Sequence, residues 1–125
     1  MANDHSIAWG IAQALHAEGA EIGFSSIEML IDKRVRPLAD SIGSTFVEPA
    51  DVQNDADISR VFTRWADEYH SLDILVHALA FAKREELDGR FVDTSREGFA
   101  LALDISAFSF VALARAAAPL MAGAR

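Results

Sequence analysis

Apolar positions along the chain switch repeatedly between helical and strand-like spacing. From Ser6 to Glu18 the pattern is helical, with Ile7, Ile11, Ala14 and Leu15 expected on one buried face. Ser6 is placed as the N-cap of this helix and Gly19 as its C′ residue. Ala20–Ser25 reads as a short strand. Ile27–Ile42 reads as a helix with Lys33, Arg34 and Arg36 towards solvent, interrupted or bent at Pro37 and closed by Gly43. Thr45–Glu48 is a second strand. Asp55–Tyr69 is a helix carrying Ile58, Val61, Phe62 and Trp65 at i, i+3, i+4 and i+7. The run Leu72–His77 reads as a buried third strand, Ala78–Thr94 as a loop, and Ser95 to about Met121 as one long helix.

Helices alternating with strands through short connections predict parallel strands, hence an α/β, doubly wound parallel sheet of Rossmann type. At 125 residues the chain is one domain at most, so residues 1–125 are read as a single, partial dinucleotide-binding domain. In this architecture the first strand is central. The strands Ala20–Ser25 and Leu72–His77 would each pair with such a strand, and nothing in the sequence supplies it. Three parallel strands with helices on both faces are expected. The open inner edges predict a chain that is molten, aggregating, or rescued by association.

Composition narrows the function classes. A hydrophobic fraction of 51% excludes a disordered chain, and a net charge of −8 argues against sequence-independent nucleic-acid binding. Without cysteine there are no disulfides and no thiol nucleophile. No apolar run approaches the length of a membrane span; Ala100–Met121 comes nearest and is broken by Asp104 and Arg115. No signal peptide is visible, so the reading is a cytoplasmic protein without membrane or nucleic-acid partners.

Ligands of open α/β sheets bind beyond the carboxyl ends of the strands and at helix starts. The helix start at Ser6-Ile7 suits a phosphate, or is an ordinary N-cap. Asp51, with Val52 beside it, could accept a hydrogen bond from an exocyclic amine such as that of adenine, or cap a turn. The small residues after the third strand let a ribose or nicotinamide approach the backbone, while His77 alone is expected to be a packed, hydrogen-bonded residue. Ser106 and Ser109 share a helix face and either line a site or bond back to their own helix, the second being the default. The helix Ser95–Met121 is apolar on more than one face, which suggests a second subunit. No catalytic constellation is visible: Tyr69 has no lysine four residues later, and His5, His16 and His70 have no metal-ligand spacing.

Taken together, Ser6-Ile7-Ala8-Trp9-Gly10-Ile11-Ala12, Ala50-Asp51-Val52, Leu72–Ala78, Leu87-Asp88-Gly89, Arg96-Glu97-Gly98-Phe99 and Asp104-Ile105-Ser106 resemble, in order and spacing, the NADH-dependent enoyl-[acyl-carrier-protein] reductases. These are a divergent branch of the short-chain dehydrogenase/reductases. The resemblance implies NAD as cofactor and hydride transfer to C3 of a trans-2-enoyl thioester carried by the acyl-carrier protein. It places Ser6 and Ile7 at the pyrophosphate and Asp51 and Val52 at adenine. Leu79, Ala80 and Phe81 would form the ribose and nicotinamide wall, and Leu87 would stand at the substrate mouth. It also implies a homo-oligomer built through Ser95–Met121. Ile27 departs from the family, which carries a polar residue after the second strand. The family's first strand and first glycine would precede Met1, and its catalytic tyrosine and lysine would follow Arg125, so no residue here is assigned as catalytic and a fragment inactive alone is expected. Other readings are a different short-chain reductase, such as a 3-oxoacyl reductase, or a non-catalytic nucleotide-binding or subunit-interaction fragment.

Overall fold

The computed structural model describes residues 3–123. Helix α1 spans Ile7–Ala17; the Ser6 hydroxyl accepts from the Trp9 N–H at its start, and Gly19, at φ +88°, takes the left-handed turn after it. Strand β1 is Phe24–Ser26 and strand β2 is Val47–Pro49. They pair in parallel with Phe24 opposite Val47 and Ser26 opposite Pro49. Helix α2 (28–41) crosses between them, as parallel pairing requires. It is widened into a π-turn at Ile31–Val35, where the Arg36 N–H reaches back to the Ile31 carbonyl. Pro37 follows immediately; it has no N–H to donate and its ring crowds the preceding turn, so the widening sits where the sequence predicts an interruption.

Side chains alternate across the short sheet. Phe24 and Val47 point into a cluster with Trp9 and Ala12 of α1 and Ile31, Val35 and Ala39 of α2. Phe46 and Glu48 point the other way, towards helix α3 (Asp55–Tyr69). There Phe46 meets Trp65 edge-on at 5.1 Å, Trp65 stacks on Tyr69 at 4.3 Å, and Glu48 pairs with Arg64. The sheet is therefore covered on both faces, as expected. On α3, Ile58 is buried and Val61, Phe62 and Trp65 are half-buried, as the spacing predicts.

Two expectations need correction. The buried residues of α1 are Trp9 and Ala12, whereas Ile7 is 83% exposed and Ile11 and Ala14 are also exposed. The large Trp9 ring, 6.3 Å from that of Phe24, decides which way the helix turns. Nor do the residues of Leu72–His77 form a strand: among the described residues the sheet has two strands, β1 and β2. A strand exists through its ladder partner, and this segment finds none. The Leu72 N–H bonds instead to the Leu120 carbonyl, and Ile74 and Val76 stay about half exposed.

A short helix α4 (Arg84–Leu87) and a tight turn at Phe91–Asp93 lead to α5, Arg96–Met121. Helix α5 contains a second π-turn, Asp104–Phe108, and packs against α3. By length and composition alone α5 could cross a membrane, which corrects the reading that no run approaches that length. Asp104 and Arg115 do not break the helix and are too few to offset its alanines and leucines.

Candidate functional site

The loop that leaves β2 and the chain that follows the unpaired 72–77 segment converge on the π-turn of α5. The loop after β2 is held first. The Asp51 carboxylate accepts from the Gln53 N–H at 3.0 Å, and the Asp51 N–H donates to Asp57 Oδ2 at 3.0 Å. The turn-capping alternative for Asp51 is thus realised, with its side chain still exposed. Asp57 also accepts from Arg60 at 2.5 Å. Its carboxyl is held below the usual carboxylate range by the Asp51 N–H first and by Arg60 next. Gln53 Nε2 in turn donates to Asp104 Oδ2 at 2.9 Å, tying this loop to the start of the π-turn.

The loop after Val76 is held twice. His77 Nε2 lies 2.8 Å from Ser109 Oγ, and Ser109 is fully buried. Ser109 Oγ donates to the Ile105 carbonyl at 2.6 Å, so its proton is already engaged and its oxygen accepts from His77. Nε2 of the imidazole is therefore the donor of this pair, and the ring stands edge-on to Phe110 at 5.4 Å. His77 is a packed, hydrogen-bonded residue as expected. Further along, Ser106 Oγ accepts from the Phe81 N–H at 3.0 Å and donates to the Phe81 carbonyl at 3.2 Å. Of the two serines, Ser109 bonds back to its helix and Ser106 does not. Back-bonding, the default for both, therefore fails at Ser106.

These ties leave an apolar hollow of about 510 Å³ between the loop and α5, with Ala80, Phe81 and Leu87 on one side and Phe99, Leu103 and Ser106 on the other. Phe81 is 47% and Leu87 69% exposed, so both offer apolar surface to a ligand. The structure thus brings Ala80, Phe81 and Leu87 together. Leu79 is half-buried behind them, and Val52 is half-buried beside the exposed Asp51. Ser6 and Ile7 do not line the hollow. The Ser6 hydroxyl is engaged locally, donating to the Asn3 carbonyl at 2.7 Å and accepting from Trp9. What α1 offers an anion is its backbone: no acidic residue sits in the first turn, and the opening N–H groups of a helix have no carbonyl partner within it. That donor set fits a phosphate, and the apolar hollow fits a flat ring or an acyl chain.

Sequence reasoning missed Phe99 and Leu103 as lining residues, although their i, i+4 spacing, continued by Ser106, was there to read. It also missed Gln53 as the link to α5; nothing local marks a contact 51 residues away.

A parallel sheet covered on both faces, with loops gathered beyond its carboxyl ends and an open helix N-terminus, defines an α/β domain of Rossmann type. A family profile described as "Enoyl-(Acyl carrier protein) reductase" matches residues 1–124. The chain belongs to that family. It is similar to the enoyl-[acyl-carrier-protein] reductase [NADH] FabI of Aquifex aeolicus, 46% identical over 123 residues, covering 98% of this chain and 46% of that protein. The Nostoc FabI is 48% identical over 124 residues, covering 97% and 48% respectively. Among solved structures, the Aquifex aeolicus NADH reductase superposes with a TM-score of 0.92 at 45% identity, covering 97% of this chain and 53% of that one. The Anaplasma phagocytophilum reductase, solved in complex with NAD, superposes with a TM-score of 0.91 at 45% identity, covering 97% and 46%. The chain spans about half the length of the curated relatives it matches.

Proposed function

We propose that this chain provides the nucleotide-binding and acyl-facing part of an NADH-dependent enoyl-[acyl-carrier-protein] reductase of fatty acid synthesis, acting on trans-2-enoyl thioesters. The observation that carries the reading is the apolar hollow bounded by Ala80, Phe81 and Leu87, in a chain 46% identical to an NADH reductase of that name. When bound, NADH supplies the hydride that reduces C3 of the enoyl group. The start of α1 at Ser6-Ile7 holds the pyrophosphate, the Ile7 N–H donating to it while the Ser6 N–H is engaged by the Asn3 carbonyl. Asp51 accepts from the adenine amine through the carboxylate oxygen not used by Gln53, and Val52 packs on the ring. Leu79, Ala80 and Phe81 form the wall along the ribose and nicotinamide, excluding water from that side. Leu87 borders the entrance of the acyl chain. None of these groups moves a proton, and no residue of this chain is assigned to polarise the thioester carbonyl. The protein is read as a cytoplasmic homo-oligomer whose subunits meet along α5, where Phe108, Phe110 and Val111 are about half exposed.

Titrating the chain with NADH and following the change in NADH fluorescence tests this reading. Saturable binding is expected, weakened in Asp51→Ala by on the order of tenfold for a lost charge-assisted hydrogen bond. No binding, or equal affinity in the variant, counts against it.

A further inference from the structure

We infer that Ser106 is a positioning residue: from the π-turn of α5 it fixes the backbone of Phe81 and so sets the shape of the proposed nucleotide wall. The inference rests on the function proposed above and assigns a role to a hydroxyl at the edge of the hollow that this reading leaves without one.

Residues 74–82 have no sheet partner, so their N–H and C=O groups bond to side chains or to water instead. At Phe81 a single hydroxyl does both jobs, Ser106 Oγ accepting from the N–H at 3.0 Å and donating to the carbonyl at 3.2 Å. Ser106 thereby stands in for one rung of a neighbouring strand. A hydroxyl in a regular helix bonds most readily to a carbonyl one turn back, as Ser109 does to Ile105. Ser106 escapes that fate because it lies within the π-turn Asp104–Phe108, where the ladder is widened and the Ser109 N–H reaches the Asp104 carbonyl five residues earlier.

The same turn also holds the two flanking points, Gln53 through Asp104 and His77 through Ser109. One helical turn therefore sets the relative position of both loops that would face the nucleotide. Of the three ties, that of Ser106 bears directly on the wall. It is also reversible by a conservative change, since threonine retains the hydroxyl.

The test compares the chain with Ser106→Ala and Ser106→Thr in two measurements: hydrogen–deuterium exchange at the Phe81 amide, and affinity for NADH. In Ser106→Ala, exchange at Phe81 should rise while the Trp9 and Phe24 amides keep their protection. NADH should bind roughly five- to tenfold more weakly, the scale of a lost hydrogen bond. Ser106→Thr should restore both. Unchanged exchange at Phe81 overturns the inference, and so does faster exchange with unaltered NADH affinity. If the unsubstituted chain does not bind NADH, the proposed function fails, and the exchange arm alone then decides the clamp: lost protection supports it and retained protection overturns it. If Ser106→Ala loses protection at Trp9 and Phe24 as well, Ser106→Cys takes its place. A thiol is a weak donor, so intermediate protection and affinity support the inference and unaltered values overturn it.

Discussion

The Glu86 carboxylate accepts a 2.5 Å hydrogen bond from the hydroxyl of Ser95, the N-cap of α5, and so pins the short helix that carries Leu87 to the start of the long one. The glycine at position 98 makes this possible: a Cβ there would lie 2.0 Å from Glu86 Oε2. Gly98→Ala should push the carboxylate away from Ser95. Alanine favours the helix by up to about 1 kcal/mol, and the lost hydrogen bonds cost about as much, so overall stability should change little. The local effect should be clear, with faster amide exchange across residues 84–95. Unchanged exchange there would show that Leu87 is held by something else.

Gly23 presents a stricter case. Its absent Cβ leaves room for Trp65, whose ring would come within 2.4 Å, and for Phe46 at 2.9 Å. Both rings belong to the aromatic stack that ends on Tyr69 and cannot swing aside freely. Gly23→Ala should cost about 1–3 kcal/mol through overpacking, read as a lower midpoint in urea. A midpoint within error of the unsubstituted chain would mean that α3 shifts without penalty.

Glu48 is 7% exposed on the face of β2, and its partner Arg64 comes from α3. Removing the cation would leave a buried carboxylate unpaired. The Arg64 side chain is 56% exposed, so water can partly replace it. Arg64→Met should therefore destabilise by about 1–3 kcal/mol, below the figure for a fully buried pair. The double variant with Glu48→Gln should recover part of that loss, and a double-mutant cycle with no coupling would refute the pairing.

Two groups contribute to the dependence of stability on pH. The Asp57 carboxyl is held below its ordinary value of 3.8 by the Asp51 N–H and Arg60. A lowered value means stability that is present above 3.8 and lost as pH falls through the folded-state value. The acid side of the unfolding profile should therefore flatten in Asp57→Asn. Burial pushes the Tyr69 phenol above its ordinary value of 10.0. That contribution is complete below 10.0 and disappears as pH rises through the folded-state value, so Tyr69→Phe should blunt alkaline unfolding. Profiles identical to the unsubstituted chain at both ends would contradict these assignments.

The exposed apolar side of α5 predicts self-association. Val111→Asp, at a position 49% exposed, should lower the apparent mass in sedimentation while leaving helix content intact. An unchanged sedimentation profile would move the subunit contact elsewhere.

Much of the architecture was legible because it follows from periodicity. The bounds of α3 and the caps at Ser6 and Gly19 are local properties, and they are found where the residues put them. Strand extents were less legible. Ala20–Ser25 and Thr45–Glu48 contract to Phe24–Ser26 and Val47–Pro49, and Leu72–His77 yields no strand, because pairing depends on a partner and not on the segment's own pattern. The orientation of α1 was misread because one tryptophan outweighs two isoleucines in deciding which face is buried. At the site, Ala80, Phe81 and Leu87 could be named from resemblance. The bonds that hold them could not, since Ser106 and Phe81 are 25 residues apart and a π-turn leaves no composition signal.

Helices α2 and α5 each contain such a widened turn, at Ile31–Val35 and at Asp104–Phe108, and each amounts to one residue inserted into a regular helix. The consequence concerns insertions and deletions. Deleting one residue within either turn would restore the regular ladder and leave everything after it facing as it does, because in a widened turn the residue five positions on already stands where the fourth would. In α2 Ala39 would keep its place in the core, and in α5 Ser109, Ala112 and Ala117 would stay buried. What changes is the turn itself, so in α5 the cost of a one-residue gap falls on the bonds by which Asp104 and Ser106 hold the two loops.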